Sequence, residues 1–272
     1  MNEAGTDREQ GMADLFDGFA GDWSAFYDDA AEQGRSFEFQ TRQRRAVQTL
    51  IDALPAGARV LEIGCGGGIT SVLLARAGFA VTALDISPAM VEATRAAAAS
   101  AGVDITVHLG AVTSLPDDAR GFDAAVGLGV TEYLPDLDLV LHELHDRLAP
   151  GGRCVLSFTN AASPFRWIEM PVKRAAAAGI YLARHDERSR QIAFRTGSAH
   201  TPRRAFDAMR AAGFTDLAAS FLGYGVRVGR RWLPGVGRQD ALGATLAARP
   251  FTERAGRMFL VDARRPPARG AA

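Results

Sequence analysis

Glu62, Gly64, Gly66, Gly68 and Asp85 are the residues whose types and spacing carry the most chemistry in this chain. The first four lie in VLEIGCGGG (60–68), where a short apolar run meets an acid and then a cluster of glycines. Glycine lets the backbone turn tightly and lets a ligand touch it with no Cβ in the way. A helix that opens after such a turn presents unpaired N–H groups and a positive dipole end. The expected ligand is nucleotide-like, seated at the carboxyl edge of the first strand. Two phosphate-binding signatures fail here: a dinucleotide fingerprint needs a glycine where Ile69 stands, and a P-loop needs a lysine, whereas Lys173 is the only one in the chain. What fits is an acid, one spacer and G-x-G-x-G, with a second acid, Asp85, 17 residues after Gly68. Two carboxylate acceptors suit a ligand with ribose hydroxyls and an ammonium group better than one carrying phosphates.

Alternating strand-like and helix-like segments must position these residues, the pattern of a parallel sheet covered on both faces. RVLEI (59–63), AVTALD (80–85), ITVHL (105–109), FDAAVGL (122–128) and RCVLSF (153–158) read as strands one to five. The spacing predicts a helix from Gln43 to Leu54 and another through Val72, Leu73 and Leu74 that stops at Gly78. Ser87-Pro88 opens a helix running to Ser100, and Asp136 caps one with Leu137, Val140, Leu141, Leu144 and Leu148 on its buried face. After residues 161–200, which lose the rhythm, Thr201-Pro202 starts a helix that ends at Gly213. A sixth strand is expected near Leu217, and RMFLVD (257–262) as a seventh.

VLEIGCGGG resembles the first motif of the class I S-adenosylmethionine-dependent methyltransferases, and VTALDIS (81–87) resembles their second. FDAAVGLGVTEYLPD (122–136) is similar to their fourth strand and its loop, and LAPGGRCVLSF (148–158) to their turn into strand five. The motifs occur in family order and cover residues 58–160. This resemblance implies an α/β fold: a Rossmann-like, seven-stranded doubly wound sheet, order 3-2-1-4-5-7-6, last strand antiparallel, with an N-terminal helical lid and an insertion after strand five. The implied organisation is a lid at 1–40, a cofactor-binding core at 41–160, a substrate-covering insertion at 161–200, and a helix and strands at 201–272 completing the sheet. The implied cofactor is S-adenosyl-L-methionine. Glu62 would support its amino end and the glycine loop of Gly64, Cys65, Gly66 and Gly68. Asp85 would bind both ribose hydroxyls, with Ile86 against the adenine and Met90 also in the cofactor set. Ala111 and Val112 would edge the ring, and Gly127 and Leu128 would lie near the methionine moiety. One position departs from the family pattern: relatives commonly carry an aspartate where this chain has Ala111. A side-chain hydrogen bond to a neutral group contributes only about 1 kcal/mol net, so its loss need not abolish binding, and the Val112 N–H is left to contact the ring.

FDGFAGDWSAFYDD (16–29) resembles the lid of methyltransferases acting on quinone precursors and porphyrins, with Trp23, Phe26 and Tyr27 as candidates to close over the sulfonium. Phe16, Phe19, Trp23 and Phe26 also form an amphipathic stripe fit to pack on the core, the reading taken for the phenylalanines. Tyr27 is assigned to the cofactor, because its hydroxyl needs a polar partner once covered. Tyr133 stands where many relatives have histidine and is expected to face the crevice as a positioning residue or weak base. Its neighbour Glu132 is expected to face solvent. His185 and His200, in or beside the insertion, are weaker catalytic candidates. His142 and His145 are expected to be exposed and His108 structural. No Cys/His cluster has metal-ligand spacing, so no metal is expected. Cys65 reads as a small loop residue rather than a nucleophile.

With 272 residues, 47% hydrophobic and 23% charged, the composition excludes disordered and fibrous classes. No apolar run reaches the ~20 residues of a membrane span. The polar, acidic MNEAGTDREQ start gives no signal-peptide pattern, and two cysteines form no disulfide framework, which together predict a cytoplasmic protein. A net charge of zero hides a polarity: residues 1–40 hold ten acids and two bases, while residues 221–272 hold ten arginines against three acids. LGYGVRVGRRWLPGVGR (222–238) reads as a substrate wall, as a peripheral membrane contact, or as a solvated loop neutralised by the N-terminal acids, the last being preferred. No nucleic-acid-binding module is recognisable, so no such partner is expected. The predicted function is transfer of a methyl group to a small apolar or aromatic metabolite as the partner substrate, at oxygen on the strength of the resemblance alone. Two alternatives stay open: a cofactor-binding protein of the same fold that cyclises or senses, and, further off, a nicotinamide-dependent oxidoreductase, which Ile69 opposes.

Overall fold

Strand-length apolar runs, each followed by a helix-length amphipathic stretch, wind into one twisted sheet. The structure, a computed structural model, describes residues 11–14, 16–17, 35–168, 170–171, 198–224, 226–228, 231–233 and 253–268. After helical turns at 11–14 and 16–17, the elements run α1 (Arg35–Ile51), β1 (Arg59–Ile63), α2 (Ile69–Arg76), β2 (Ala80–Asp85), α3 (Pro88–Ala101) and β3 (Ile105–Leu109). A short 3-10 turn (Val112–Ser114) leads to β4 (Phe122–Gly127), α4 (Leu137–Arg147) and β5 (Leu148–Thr159). The described remainder holds α5 (Pro202–Ala211), β6 (Thr215–Leu222), β7 (Val226–Val228), β8 (Arg231–Leu233) and β9 (Met258–Arg264).

Seven strands form one sheet in the order β3-β2-β1-β4-β5-β9-β6, while β7 and β8 pair separately. Strands β1 to β5 are parallel, so their carboxyl ends share one edge. β9 runs antiparallel to both β5 and β6. The predicted order and its antiparallel last strand are therefore present, β9 being the seventh strand of the sequence reading.

Successive strand residues point to opposite faces, so each strand feeds two core layers. Leu61 and Ile63 join Leu141, Leu144, Phe158, Met209 and Phe259 on the side of α4 and α5. Val60 joins Leu50, Leu74, Val126, Val155 and Leu260 on the side of α1 and α2. Three helix starts are set by side-chain caps, each accepting from a backbone N–H: Ser87 from Met90 at 3.1 Å, Asp136 from Leu139 at 3.0 Å, and Thr201 from Arg204 at 3.2 Å.

Several expectations need correction. The helix before β1 runs Arg35–Ile51, so it starts ahead of Gln43 and ends before Leu54. Strand β5 begins at Leu148 rather than Arg153, because Phe122 pairs with Leu148 and the ladder then shifts register to Ala124 with Arg153. His145 is not fully exposed: its ring meets Phe214 edge-on at 5.3 Å, and its side chain is 20% exposed where α4 packs on the sheet's end. His142 is exposed. Most of the arginine-rich excursion and the middle of the 161–200 insertion lie outside the described residues.

Phe158 and Phe259 stack at 5.3 Å on adjacent strands, and neither reaches solvent. Phe259→Ala should cost about 3–5 kcal/mol, leaving a cavity between β5 and β6. Urea unfolding checks this: the midpoint should fall while the slope holds.

Candidate functional site

At the carboxyl edge of β1 to β4 the chain opens into one pocket whose floor is built by two acids. Asp85 ends β2, and its carboxylate is gripped by backbone: Oδ2 accepts from the Gly66 N–H at 2.9 Å and Oδ1 from the Ser87 N–H at 3.0 Å. Glu62, in β1, is buried and accepts from the Ser71 hydroxyl. Thr70 beside it takes a hydrogen bond from Gln43 Nε2 at 2.8 Å, so α1, α2 and β1 meet at this acid.

The glycine loop is shaped by close approach. Gly64 has φ +67°, and a Cβ there would lie 2.8 Å from Val130 Cγ2. Gly68 has φ +79°, and its Cβ would lie 2.8 Å from the Thr94 Cα, so the loop presses directly on α3. Thr94 returns a hydrogen bond to the Gly66 carbonyl at 2.8 Å. Cys65 is buried against Thr94, and burial followed by the charges of Glu62 and Asp85 drives its thiol pKa upward, which suits a loop residue and not a nucleophile.

Burial is the first cause that pushes the Glu62 carboxyl up to about 8, and the charge of Asp85 adds to it against hydrogen bonds from Ser71 and Thr70. Burial also raises Asp85, opposed by the N–H groups of Ser87, Gly66 and Ile86, while Asp17 raises it further. Among the described lining residues every charged group is a carboxylate: Glu62, Asp85 and Asp136. The rest of the wall is mainly apolar, including Ile86, Met90, Val112, Leu128, Val130, Leu134, Leu139 and Val140.

Met12 and Phe16, from the N-terminal helical turns, cover part of this pocket. The Asp17 carboxylate accepts from the Ser87 hydroxyl and from the Ala89 N–H at 3.2 Å, tying the segment to the start of α3. Phe16 meets Tyr133 edge-on at 5.1 Å, which ties it to the loop after β4. Phe16 thus packs over the pocket, not only on the core as its stripe suggested. Phe19, Trp23, Phe26, Tyr27 and His185 lie outside the described residues.

Glu62, Gly64, Cys65, Gly66, Asp85, Ile86, Met90, Ala111, Val112, Leu128 and Tyr133 all line this one pocket. Gly68 and Gly127 stand behind its wall, Gly68 against Thr94 and Gly127 against Ile63 and Leu156. His200 sits apart at the end of β5, where its N–H donates to the Thr159 carbonyl at 2.9 Å and its ring meets Phe158 edge-on. Burial lowers its pKa. Glu132 does not face solvent as expected: Oε1 accepts from the Thr159 hydroxyl at 2.5 Å, because the loop after β4 folds back on β5. Sequence reading missed Asp17 and Arg42. Arg42 is 3% exposed, and its guanidinium lies beside Gly129, a pocket residue. It comes from a helix of several arginines, where no local pattern marks the buried one.

Residues 60–152 match a family model described as a methyltransferase domain. The sheet order is that of the class I S-adenosylmethionine-dependent methyltransferase fold. The magnesium protoporphyrin IX methyltransferase of Synechocystis, solved with bound SAH, superposes with TM-score 0.61 and 16% identity, over 95% of this chain and 99% of that one. A S-adenosylmethionine-dependent methyltransferase of Thermotoga maritima, described as a possible histamine N-methyltransferase, superposes with TM-score 0.59 and 16% identity, over 93% and 99%. A ubiquinone biosynthesis O-methyltransferase of Xanthomonas axonopodis is 56% identical over 41 residues, which is 15% of this chain and 17% of that protein. Among the described residues, no His, Cys, Asp and Glu group is placed to hold a metal ion, and no helix is long and apolar enough to cross a membrane.

The raised Glu62 has a stability consequence of definite sign. Folded Glu62 keeps a proton that the unfolded chain releases, so the ligand-free domain loses stability as pH climbs from 4.5 through about 8. Thermal unfolding across that window should show the decline, and Glu62→Gln should flatten it. An equal slope in the variant would assign the decline to another group.

Proposed function

We propose that the protein is an S-adenosyl-L-methionine-dependent methyltransferase that transfers a methyl group to the oxygen of a small, apolar or aromatic metabolite. The observation that carries this reading is the acid set of the pocket: every ionisable side chain of the Asp, Glu, Lys, Arg or His type among its described lining residues is a carboxyl, and Glu62, pushed up to about 8, ionises on meeting a cation. Such a site attracts a sulfonium and an ammonium and repels the paired phosphates of a nicotinamide dinucleotide.

The residues present fit the cofactor. Asp85, aimed by two backbone N–H groups, keeps lone pairs for two ribose hydroxyls. Glu62 and the Gly64–Gly66 loop suit the amino end, and the buried guanidinium of Arg42 beside Gly129 supplies positive charge for a carboxylate. Ile86, Met90, Val112 and Leu128 offer apolar faces to a base. Gly68 and Gly127 act from behind, letting Thr94 and Ile63 close on the wall. Tyr27, outside the described residues, is given to the cofactor by the resemblance alone. Once bound, the cofactor supplies an electrophilic methyl group, and the protein's part is to align the acceptor and keep water out.

Met12, Phe16, Tyr133, Leu134, Pro135 and Leu139 give the acceptor a mainly apolar setting, with no Lys, Arg or His among the described lining residues. The short match to a ubiquinone O-methyltransferase supports oxygen as the accepting atom. A hydroxyl acceptor must shed its proton. Tyr133, which lines the pocket, positions that hydroxyl and is the described candidate to take its proton, because His200 sits apart at the end of β5. Two buried free thiols, Cys65 and Cys154, suit a reducing cytoplasm.

Thermal unfolding with S-adenosylhomocysteine and, separately, with NADH tests the cofactor. At 100 times its dissociation constant a ligand adds about 2.7 kcal/mol, a rise of several degrees. S-adenosylhomocysteine should give this rise, and Asp85→Ala should remove most of it. A rise with NADH alone would overturn the reading. Transfer of labelled methyl to a panel of phenols tests the reaction, and cofactor binding without transfer to any acceptor would favour a cyclase or sensor.

A further inference from the structure

We infer that Arg147 is a positioning residue for the base-binding wall of the pocket, holding the Gly110–Leu115 backbone where it reads an adenine ring. The inference rests on the cofactor reading above. With the ribose on Asp85 and the ammonium end on Glu62 and the glycine loop, the base must lie on the far side of Asp85. That side is formed by Ile86 and by Gly110, Ala111, Val112 and Thr113.

Ala111 has no polar side chain, so main-chain groups of the loop, with the Thr113 hydroxyl beside them, are left to meet the ring edge. Their accuracy is the accuracy of the loop. Its near leg is tied to β2, where the Gly110 N–H donates to the Asp85 carbonyl at 2.8 Å, and the Ser114 hydroxyl donates to the Ala111 carbonyl at 2.7 Å. Its far leg is tied to α4 chiefly by Arg147, with Arg120 Nη1 adding a bond to the Asp146 carbonyl at 3.2 Å. Arg147 Nη1 donates to the carbonyls of Pro116 at 3.0 Å and Ala119 at 3.1 Å, and Nη2 donates to that of Leu115 at 3.0 Å. The residue is 2% exposed, with the Glu143 carboxylate 3.4 Å from Nη2. A planar fork can serve three carbonyls of one turning loop at once, whereas a lysine ammonium at the same place cannot. Charge-assisted hydrogen bonds of this kind are the stronger class, which suits a clamp. Val112 and Leu115 are buried in the same cluster as Leu141 and Leu144, so α4 presses on the loop from below while Arg147 holds it from the side.

A backbone N–H facing ring N1 accepts adenine, whose N1 is an acceptor, and rejects hypoxanthine, whose N1 carries hydrogen. The ratio of affinities for S-adenosylhomocysteine and S-inosylhomocysteine therefore reads loop placement directly. Calorimetric titration of the wild-type chain should favour the adenine ligand by about tenfold or more. Arg147→Lys should weaken the adenine ligand by about tenfold while scarcely changing the inosine one, so the ratio collapses. Arg147→Gln should reproduce that collapse. Adding Ala111→Asp to Arg147→Lys supplies an acceptor for the exocyclic amine and should restore the preference for adenine. If the Arg147 variants lose melting temperature but keep the wild-type ratio, Arg147 only packs and the inference fails alone. Equal wild-type affinity for both ligands would likewise overturn it. If the wild-type chain binds neither ligand, the cofactor reading fails and the inference falls with it.

Discussion

Two carboxylates buried side by side at the carboxyl ends of neighbouring parallel strands constrain much of this molecule. An acid out of water is costly unless donors meet it, and here the donors are mostly backbone. Asp85 takes its hydrogen bonds from Gly66 and Ser87, and these N–H groups face it only while β1 and β2 stay in register. The same edge holds the loop down, since the N–H groups of Gly64 and Cys65 donate to the Leu84 carbonyl at 2.8 and 3.0 Å. Glu62 draws on Ser71 and, through Thr70, on Gln43 of α1. Sheet register, the start of α2 and the docking of α1 are therefore conditions for keeping both acids indoors. Without a cation the arrangement stays uncomfortable, which is why burial raises both.

The N-terminal segment adds to that discomfort. Asp17 caps the start of α3 through Ser87 and Ala89, and its charge raises Asp85 further. Asp17 thus joins the three acids that line the pocket, Glu62, Asp85 and Asp136, and a cationic ligand would relieve the raised pair. The place of Asp17 beside Asp85 and a bound cation favour each other for that electrostatic reason. The Phe16–Tyr133 contact gives the described residues 16–17 a second, apolar foothold on the loop after β4.

Most of the sheet was legible because its signals are local. Five apolar runs of strand length, the glycine cluster and the caps at Ser87, Asp136 and Thr201 each sit within a few residues of the feature they set. The acids of the pocket were legible for the same reason, as each ends or nearly ends a strand. What escaped was tertiary. Arg147 bonds to carbonyls 28 to 32 residues away, and it ends a helix where a basic residue is ordinary. Arg42 is buried among neighbouring arginines that are exposed, and periodicity alone did not select it. Glu132 turned inward because Thr159, on the next strand, offers its hydroxyl. The early start of β5 depends on a register shift against β4 that no pattern in either strand announces.

Acid floor and apolar wall divide the work of selecting ligands. Charge acts over distance and is strongest where water is least, so Asp85 discriminates by sign before any close contact forms, while Glu62, pushed up to about 8, gains its charge as a cation approaches. Shape acts only at contact, and Leu134, Leu139 and Val140 can exclude a poorly fitting group but cannot orient one. Orientation needs a few fixed polar groups, and in this pocket they are largely main-chain atoms held by side chains that never touch the ligand. Gly66 is held by Thr94 and the 110–119 loop by Arg147. A site built this way tolerates change in its lining more readily than change in its supports. Replacing one apolar wall residue by another of similar volume alters fit locally. Loss of a buried donor to several carbonyls releases a whole segment of backbone, and every hydrogen bond that segment offers moves with it.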